Sequence, residues 1–415
     1  MKKSILIIIL SFCVFETFSQ IPDFISELNK RAITLDSNQS FKLSGAHSEI
    51  SGLIKKLTSY KALGLGEATH GTHEFFVAKG NLIKQLLEVK SHFDRIGLEA
   101  PYAEVEDLNQ YVLFGNGDPN GILKSFRQYT YETSEFRDIV DYIKNFNKTA
   151  KVKVLFYGYD FQSPYKVLKN LRAEIKNPQA LIAADSLIAV FSRLSDALYG
   201  HGIDAETYQE ILIRSKQMYL GLKVTKNSTV EKNLKNYQQF LILNDPEISN
   251  IDLKKASSVR DSLMAGNVIN ELNDGHFMLI WAHNGHVQKS TNVFSKTMGQ
   301  HLFEKLNEGY AAIGLTTYQG FYTGYNNQEQ AVVKTNPLVV PANSQIEHFL
   351  NQLKYENYIV STADLIVPSS ITEHRFLGYG VSEEQFQPGN VILDFDYIVF
   401  ISNTTGSLNY YLKNE

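Results

Sequence analysis

Residues 61–76 read KALGLGEATHGTHEFF, an apolar segment followed directly by ionisable side chains. The apolar segment is predicted to be a short buried strand that ends at Gly66. Further strand candidates occur at residues 93–98, 152–157, 277–281 and 310–315, with helical patterns between them. Strands that alternate with helices are typical of a parallel sheet flanked by helices. The sequence therefore predicts an α/β fold with a mainly parallel sheet, whose functional loops lie at the carboxyl ends of the strands.

A long stretch without strand patterns interrupts this series of strands. Residues 164–272 show helical spacing with many Lys and Leu, which predicts an inserted helical subdomain. The α/β core is then expected in two parts, residues 21–163 and 273–415. The looser pattern after Gly320 predicts a turn at 322–327, a helix at 345–353, and strands at 358–366 and 397–401.

The first 20 residues are predicted to be a signal peptide. Two lysines, Lys2 and Lys3, precede an apolar run from Ile5 to Phe15, as in the leader of an exported bacterial protein. That run is shorter than the ~20 residues of a membrane-spanning helix, so no stable membrane span is expected. The one cysteine, Cys13, lies in this run and is expected to be lost with it. The sequence therefore predicts a periplasmic or secreted protein without disulfides.

The composition and the missing motifs exclude several functional classes. A formal net charge of −4 provides no basic surface for a nucleic acid partner. The 25 Phe and 23 Tyr suit a large core and a pocket for a bulky small molecule. The sequence contains no G-x-S-x-G motif and no cysteine after the leader, so a covalent Ser or Cys mechanism is disfavoured. The glycines around Leu65 do not complete a dinucleotide fingerprint, so no cofactor is predicted from them.

The strongest functional signal directly follows the first predicted strand. Glu67 and His70 lie three residues apart, so in a helical turn the carboxylate can fix the tautomer of the histidine and raise its basicity. A general base is built in this way. Glu74 belongs to the same cluster and is a candidate for binding the substrate. The alternative is that the segment only caps the following helix, with Thr69 as the cap and the carboxylates favouring the helix dipole.

A second signal, WAHNGH at residues 281–286, follows another predicted strand. His283 and His286 can lie on one side of a turn that Asn284 and Gly285 supply. Taken alone, such a pair could equally be a structural or surface feature. Together with the first segment, the histidines and carboxylates suit a site that activates water, either by direct base catalysis or through a bound divalent metal.

Four further charged residues complete the candidate set. Glu99 and Asp160 follow two other predicted strands, where each could instead be a helix cap. Arg260, on a predicted helix, and Lys79, nine residues after His70, are suited to anchor a substrate carboxylate, stabilise an oxyanion or pair with the acids. Both cations could instead be ordinary surface charges.

These segments resemble the erythromycin esterase family. The segments that carry the resemblance are GLGEATHGTHEFF at 64–76, IGLEA at 96–100, FYGYDFQ at 156–162, Arg260-Asp261, WAHNGHV at 281–287 and MGQHL at 298–302. They occur in the family's order and extend over roughly residues 45–320. The resemblance implies an α/β core with a helical hood over a deep active-site cleft. It also implies hydrolysis of a macrolide lactone, which confers antibiotic resistance, or of another ester.

The resemblance assigns roles to individual residues. Glu67 and His70 match the family's catalytic glutamate and histidine, with His70 as the base that activates water. Further active-site positions are matched by Glu99, His283 and His286. At the position of Lys79 the resistance esterases tend to have an arginine, which can hold an oxyanion with two hydrogen bonds, whereas lysine is a point charge.

Three hypotheses follow. The leading one is an exported hydrolase that cleaves a carboxylic ester or lactone of a small molecule with water activated at His70. The second keeps the enzyme but adds a metal, with ligands drawn from the histidines and carboxylates of the same cluster. The third is a non-catalytic exported protein that binds a ligand in the same cleft. Acids and bases clustered at strand ends favour catalysis over binding.

Overall fold

The computed structural model of the chain describes residues 21–36, 40–89, 92–194, 203–226, 228–249, 253–410 and 412. The predicted signal peptide, residues 1–20, lies outside these described residues. Within the described ranges, no helix is both long and apolar enough to cross a membrane.

Nine strands form one mixed, mostly parallel sheet. The eleven strands of the described residues are β1 Ile33–Thr34, β2 Ala62–Leu65, β3 Arg95–Pro101, β4 Leu155–Asp160, β5 Met278–Trp281, β6 Tyr310–Asn326, β7 Ala331–Pro337, β8 Asn357–Ser361, β9 Glu373–Arg375, β10 Phe386–Pro388 and β11 Tyr397–Thr404. The sheet runs in the order β1-β8-β11-β6-β2-β5-β3-β4, with β7 also paired to β6, while β9 and β10 form a separate pair. All pairings from β11 to β4 are parallel. The predicted mainly parallel α/β fold is confirmed.

Helices flank the sheet. After a first helix, α1, at residues 21–31, the described helices are α2 His47–Leu57, α3 His73–Glu88, α4 Tyr102–Phe114, α5 Pro119–Ser125, α6 Ser134–Thr149, α7 Tyr165–Glu174, α8 Pro178–Leu194, α9 Ala205–Tyr219, α10 Thr229–Leu243, α11 Pro246–Ser249, α12 Leu253–Asn273, α13 Asn284–Val287, α14 Met298–Leu306, α15 Ile346–Leu350 and α16 Val391–Asp394. A short 3-10 turn, Asn307–Gly309, joins α14 to β6.

The central strands are apolar throughout because both faces of the sheet are covered. Successive side chains of a strand point to opposite faces, and β5 shows the consequence. Leu279 and Trp281 belong to a buried cluster with side chains of α3 and α6. Met278 and Ile280 belong to a second cluster, with side chains of α12 and α14. A continuous apolar run in the sequence therefore indicated a strand buried on both sides.

Most of the predicted strands are confirmed, and one predicted turn is wrong. Residues 322–327 were expected to form a turn, but β6 continues to Asn326 and pairs with β7 as an antiparallel hairpin. Tyr322 and Thr323 are almost fully buried and residues 325–326 are partly exposed, and the pairing with β7 keeps the segment extended despite its glycine and polar residues. The predicted strand at 358–366 is shorter than expected, since β8 ends at Ser361.

The stretch between β4 and β5 contains helices α7 to α12 and, among its described residues, no strand. Helices α7 to α10 share a buried cluster that also includes Tyr102 and Ala103 at the start of α4. The helical character predicted for residues 164–272 is therefore present, while the division of the chain into a core and a separate subdomain stays a prediction.

Candidate active site

A cleft of about 450 Å³ opens at the carboxyl ends of β2, β5, β3 and β4, which are neighbours in the sheet. Parallel strands bring their carboxyl ends to one edge, so residues that are distant in sequence meet there. Among the residues that line the cleft are Glu67, His70, Glu99, Arg260, His283 and His286. The structure therefore brings together six of the nine residues proposed from the sequence.

Two glycines allow the loop between β2 and α3 to pack closely against neighbouring segments. A Cβ atom at Gly66 would clash with the side-chain oxygen of Asn284, and one at Gly71 would clash with the carbonyl of Thr323. Glycine is needed where another chain segment approaches this closely. These contacts fix the loop on both sides of His70.

His70 is oriented by Glu67. The Nδ1 atom of His70 lies 2.9 Å from Oε1 of Glu67, and the carboxylate is almost fully buried while 15% of the histidine side chain stays exposed. An ionised carboxylate only accepts hydrogen bonds, so Nδ1 carries the proton. This tautomer leaves Nε2 as the proton acceptor of a ring that lines the cleft.

Lys79 lies beneath this pair and not in the cleft. Its Nζ atom is 2.6 Å from Oε2 of Glu67 and 4.1 Å from the centre of the Trp281 ring, with no exposed side-chain surface. Burial lowers the pKa of Lys79 to about 8, although Glu67 opposes the shift. The structure thus does not support the expected contact of Lys79 with substrate: its charge instead fixes the carboxylate that orients His70.

His283 is fully occupied by contacts within the protein. Its Nδ1 accepts from the backbone N–H of Gly285 at 3.1 Å, and its Nε2 lies 2.9 Å from the carbonyl of Leu377. Burial, together with His70 and His286, holds the pKa of His283 well below its usual range. The neutral ring lies 4.9 Å from that of His70, centre to centre. His283 is therefore placed to position His70 and has no nitrogen left for proton transfer.

His286 has the opposite environment. Its Nδ1 lies 2.7 Å from Oδ1 of Asp261, and its Nε2 lies 3.3 Å from Oε1 of Glu99. Burial disfavours the charged ring, but the two carboxylates outweigh it and raise the pKa of His286 to about 10. His286 is thus a cation at neutral pH and cannot accept a proton there.

Arg260 joins the remaining acids into one network. Its guanidinium lies 2.9 Å from Glu99 and 2.6 Å from the fully buried Asp160. Burial raises the pKa of the Glu99 carboxyl, but His286 and Arg260 dominate and hold it well below its usual range. Asp160 is not among the residues that line the cleft. The structure therefore does not support the expected role of Asp160 in substrate binding. This carboxylate instead holds Arg260 in place.

Glu74 does not reach the cleft. Its two carboxylate oxygens accept from the backbone N–H and the hydroxyl of Thr405, each at 2.8 Å. The neighbouring His73 contacts Glu135 at 2.6 Å. The helical period explains this result, because the first turn of α3 points these side chains away from His70. The substrate-binding role proposed for Glu74 is not supported, and this carboxylate joins α3 to the end of β11.

The sequence reasoning missed the aromatic wall of the cleft and the role of Asp261. Tyr131, Phe294, Phe376 and Tyr379 all line the cleft. They come from loops that carry no motif, so only the tertiary fold brings them to the strand ends. Asp261 was part of a recognised segment, and its position directly after Arg260 on α12 was the available signal.

The described residues provide no ready set of metal ligands. No three His, Cys, Asp or Glu side chains within those ranges are grouped so as to hold a metal ion. The donor chemistry agrees, since metals bind neutral imidazole, and His286 is protonated while both nitrogens of His283 are engaged. The divalent metal of the second hypothesis stays a prediction.

Comparison with known proteins identifies relatives that are named as esterases. The family model described as erythromycin esterase matches residues 89–404. Erythromycin esterase type I of Escherichia coli is 25% identical over 305 residues, which cover 65% of this chain and 73% of that protein. Erythromycin esterase type II of Escherichia coli is 22% identical over 322 residues, which cover 69% of this chain and 76% of that protein.

A solved structure has the same fold. A mutant of the erythromycin esterase EreC in its open conformation matches with a TM-score of 0.71 at 21% identity, covering 92% of this chain and 99% of that one. The sequence motifs lie within residues 45–320, whereas the family match reaches residue 404 and so includes the strands after Gly320.

Proposed function

This chain belongs to the erythromycin esterase family, and we propose that it hydrolyses a carboxylic ester or lactone with a water molecule activated by His70. The observation that carries this proposal is the hydrogen bond between Glu67 and His70 at the wall of the cleft. It sets the tautomer that leaves Nε2 ready to accept a proton, whereas the ring nitrogens of His283 and His286 are engaged within the protein.

The reaction begins with proton transfer from water to Nε2 of His70. As the proton leaves, the water oxygen forms a bond to the carbonyl carbon, and the electrons of the C=O bond move to the carbonyl oxygen. The tetrahedral intermediate then collapses: the C=O bond reforms, the bond to the alcohol oxygen breaks, and His70 returns its proton to that oxygen. The products are a carboxylic acid and an alcohol. General-base action of this kind is commonly worth about 10²- to 10⁴-fold in rate.

The charged side of the cleft favours the negative charge that develops on the carbonyl oxygen. His286 and Arg260 provide two fixed positive charges, held by Glu99, Asp160 and Asp261. Charges that are already oriented before the reaction require little reorganisation when the oxyanion forms. The proposal therefore divides the cleft into a histidine that moves a proton and a network of ion pairs whose charges stay fixed.

The chain is further proposed to act on a small molecule outside the cytoplasm. The charge pattern of residues 1–20 supports export. Aromatic side chains line the cleft beside the polar groups, as in pockets that bind apolar small molecules. Macrolide lactones are one substrate class to test, and antibiotic resistance would follow only from their turnover. Mass spectrometry of the protein purified from its natural compartment would reveal a start near residue 21, whereas an intact Met1 would contradict export.

The function is tested by assaying purified protein that starts at residue 21 against macrolides, simple lactones and aryl esters. We expect turnover of at least one class, and a loss of about 10²-fold or more in kcat for His70→Ala. An equally active His70→Ala variant would contradict the proposed mechanism. Activity that disappears on chelation and returns with a divalent metal would favour the metal hypothesis. Ligand binding without any turnover would favour the non-catalytic one.

A further inference from the structure

Tyr131 is an ionisable residue of the cleft that the mechanism above does not use. Its side chain lines the cleft and is only 4% exposed. Two phenylalanine rings hold it edge-on, Phe126 at 5.5 Å and Phe136 at 4.9 Å between ring centres. A ring packed in this way has one orientation, so the position of its hydroxyl is fixed before any substrate binds.

The phenol of Tyr131 lies among the carboxylates and keeps its proton. Burial, reinforced by Glu99, Glu67 and Asp160, raises the pKa of Tyr131 well above its usual value. A hydrogen bond with the backbone of Glu99 acts in the opposite direction. Because the raised pKa keeps the proton on the phenol, its O–H is a hydrogen-bond donor at neutral pH.

Tyr131 differs from the two cations of the cleft in having no counter-ion. His286 lies between Asp261 and Glu99, and Arg260 lies between Glu99 and Asp160. Part of the positive charge of both groups is thus neutralised by carboxylates. The neutral hydroxyl of Tyr131 needs no counter-ion. Its hydrogen bond strengthens as negative charge develops on the acceptor.

We propose that Tyr131 is a further catalytic residue, whose hydroxyl donates a hydrogen bond to the carbonyl oxygen as that oxygen becomes an oxyanion. The inference rests on the proposed hydrolase function. No proton is transferred from Tyr131, which stays a phenol through both steps. The contribution is made in the transition state rather than in the bound ester, because only the oxyanion accepts strongly from a neutral phenol.

Tyr131→Phe tests this role because it removes the hydroxyl and leaves the packed ring. We expect kcat to fall about 10²- to 10³-fold with KM little changed, as for other oxyanion donors. The shape of the pH profile stays the same, since the lost group does not titrate in the working range. Tyr208→Phe is the matched control: Tyr208 is also buried, its hydroxyl donates to the carbonyl of Leu241 at 2.8 Å, and it lies outside the cleft. The control should keep the wild-type kcat.

A second measurement replaces Tyr131 with fluorotyrosine, which has nearly the same size and is a stronger hydrogen-bond donor. A higher kcat with unchanged KM supports the proposal and does not depend on the folding of the phenylalanine variant. A wild-type kcat in Tyr131→Phe, or an effect only on KM, overturns it. If His70→Ala is inactive while Tyr131→Phe is fully active, the hydrolase proposal stands and only this inference fails.

Discussion

The two partly exposed histidines of the cleft, His70 and His286, differ in the number of carboxylates that contact them. His70 contacts one, Glu67, whose second oxygen is already paired with Lys79. His286 contacts two, Asp261 and Glu99. Asp261 and Glu99 together outweigh burial, raise the pKa of His286 to about 10 and keep it charged. The same side chain is thus suited to be a base in one place and a permanent cation a short distance away.

The largest effect is expected when Glu67, the one carboxylate that contacts His70, is replaced. Glu67→Gln removes the negative charge that contacts His70 and leaves the buried ammonium of Lys79 without its ion pair. We expect the free energy of unfolding at pH 7 to fall by about 3–5 kcal/mol, together with a loss of activity. Urea denaturation and steady-state kinetics measure the two effects.

A double variant separates these two roles of Glu67. Glu67→Gln combined with Lys79→Met removes both buried charges and keeps an unbranched side chain under the Trp281 ring. Stability should return toward the wild-type value, whereas activity should not, because His70 still lacks its carboxylate. Recovery of activity in the double variant would show that Glu67 acts only on folding.

An intermediate effect is expected when one of the two carboxylates that contact His286 is replaced by an amide. In Asp261→Asn the remaining carboxylate, Glu99, holds the charged ring alone, so the pKa of His286 should fall below about 10. Histidine NMR titration measures this directly. The matched control is Asp394→Asn, which removes the carboxylate of a different buried histidine, His374, at 3.3 Å. An unchanged pKa in Asp261→Asn would contradict the role given to the second carboxylate.

The raised pKa of His286 also determines how the free energy of unfolding changes with pH. A group that binds its proton more tightly in the folded state stabilises the fold fully below its unfolded pKa, about 6.5. That contribution is lost as the pH rises toward 10. In Asp261→Asn the loss should be complete at a lower pH, which denaturation at a series of pH values will show.

The smallest effect is expected when the lysine beneath His70 is exchanged for an arginine. Because the pKa of Lys79 is about 8, its charge and its ion pair with Glu67 weaken above that pH, and kcat should decline by a few fold. Lys79→Arg keeps the charge at all working pH values, so the decline near pH 8 should disappear from the profile. Lys84→Arg, on the same helix, should leave it unchanged. A decline that persists in Lys79→Arg would assign it to another group.

The residues at strand ends were predictable because their position follows from the fold class. Once parallel strands were recognised, Glu67, Glu99 and His283 had to meet at one edge of the sheet, and the structure places them there. The order of the strands was not needed for that inference. The tautomer of His70 was predictable too, since Glu67 is only three residues away.

The contacts made over long sequence distances were not predictable. Lys79 follows His70 closely in sequence, but its burial under Trp281 depends on how α3 packs on the sheet. Glu74 contacts Thr405, more than three hundred residues away. Tyr131 comes from a loop without any motif. Patterns of spacing report which face of an element a residue occupies, but they do not report what lies opposite that face.

Chemical rescue tests the central claim most directly, namely that His70 is the base and His286 is not. Free imidazole can replace a missing base if the cavity left by the substitution admits it. With the best ester or lactone found, we predict that imidazole restores activity to His70→Ala, and that the rescued rate follows the concentration of neutral imidazole. His286→Ala should not be rescued by neutral imidazole. A His70→Ala variant as active as the wild type, or rescue of His286→Ala alone, would contradict the account.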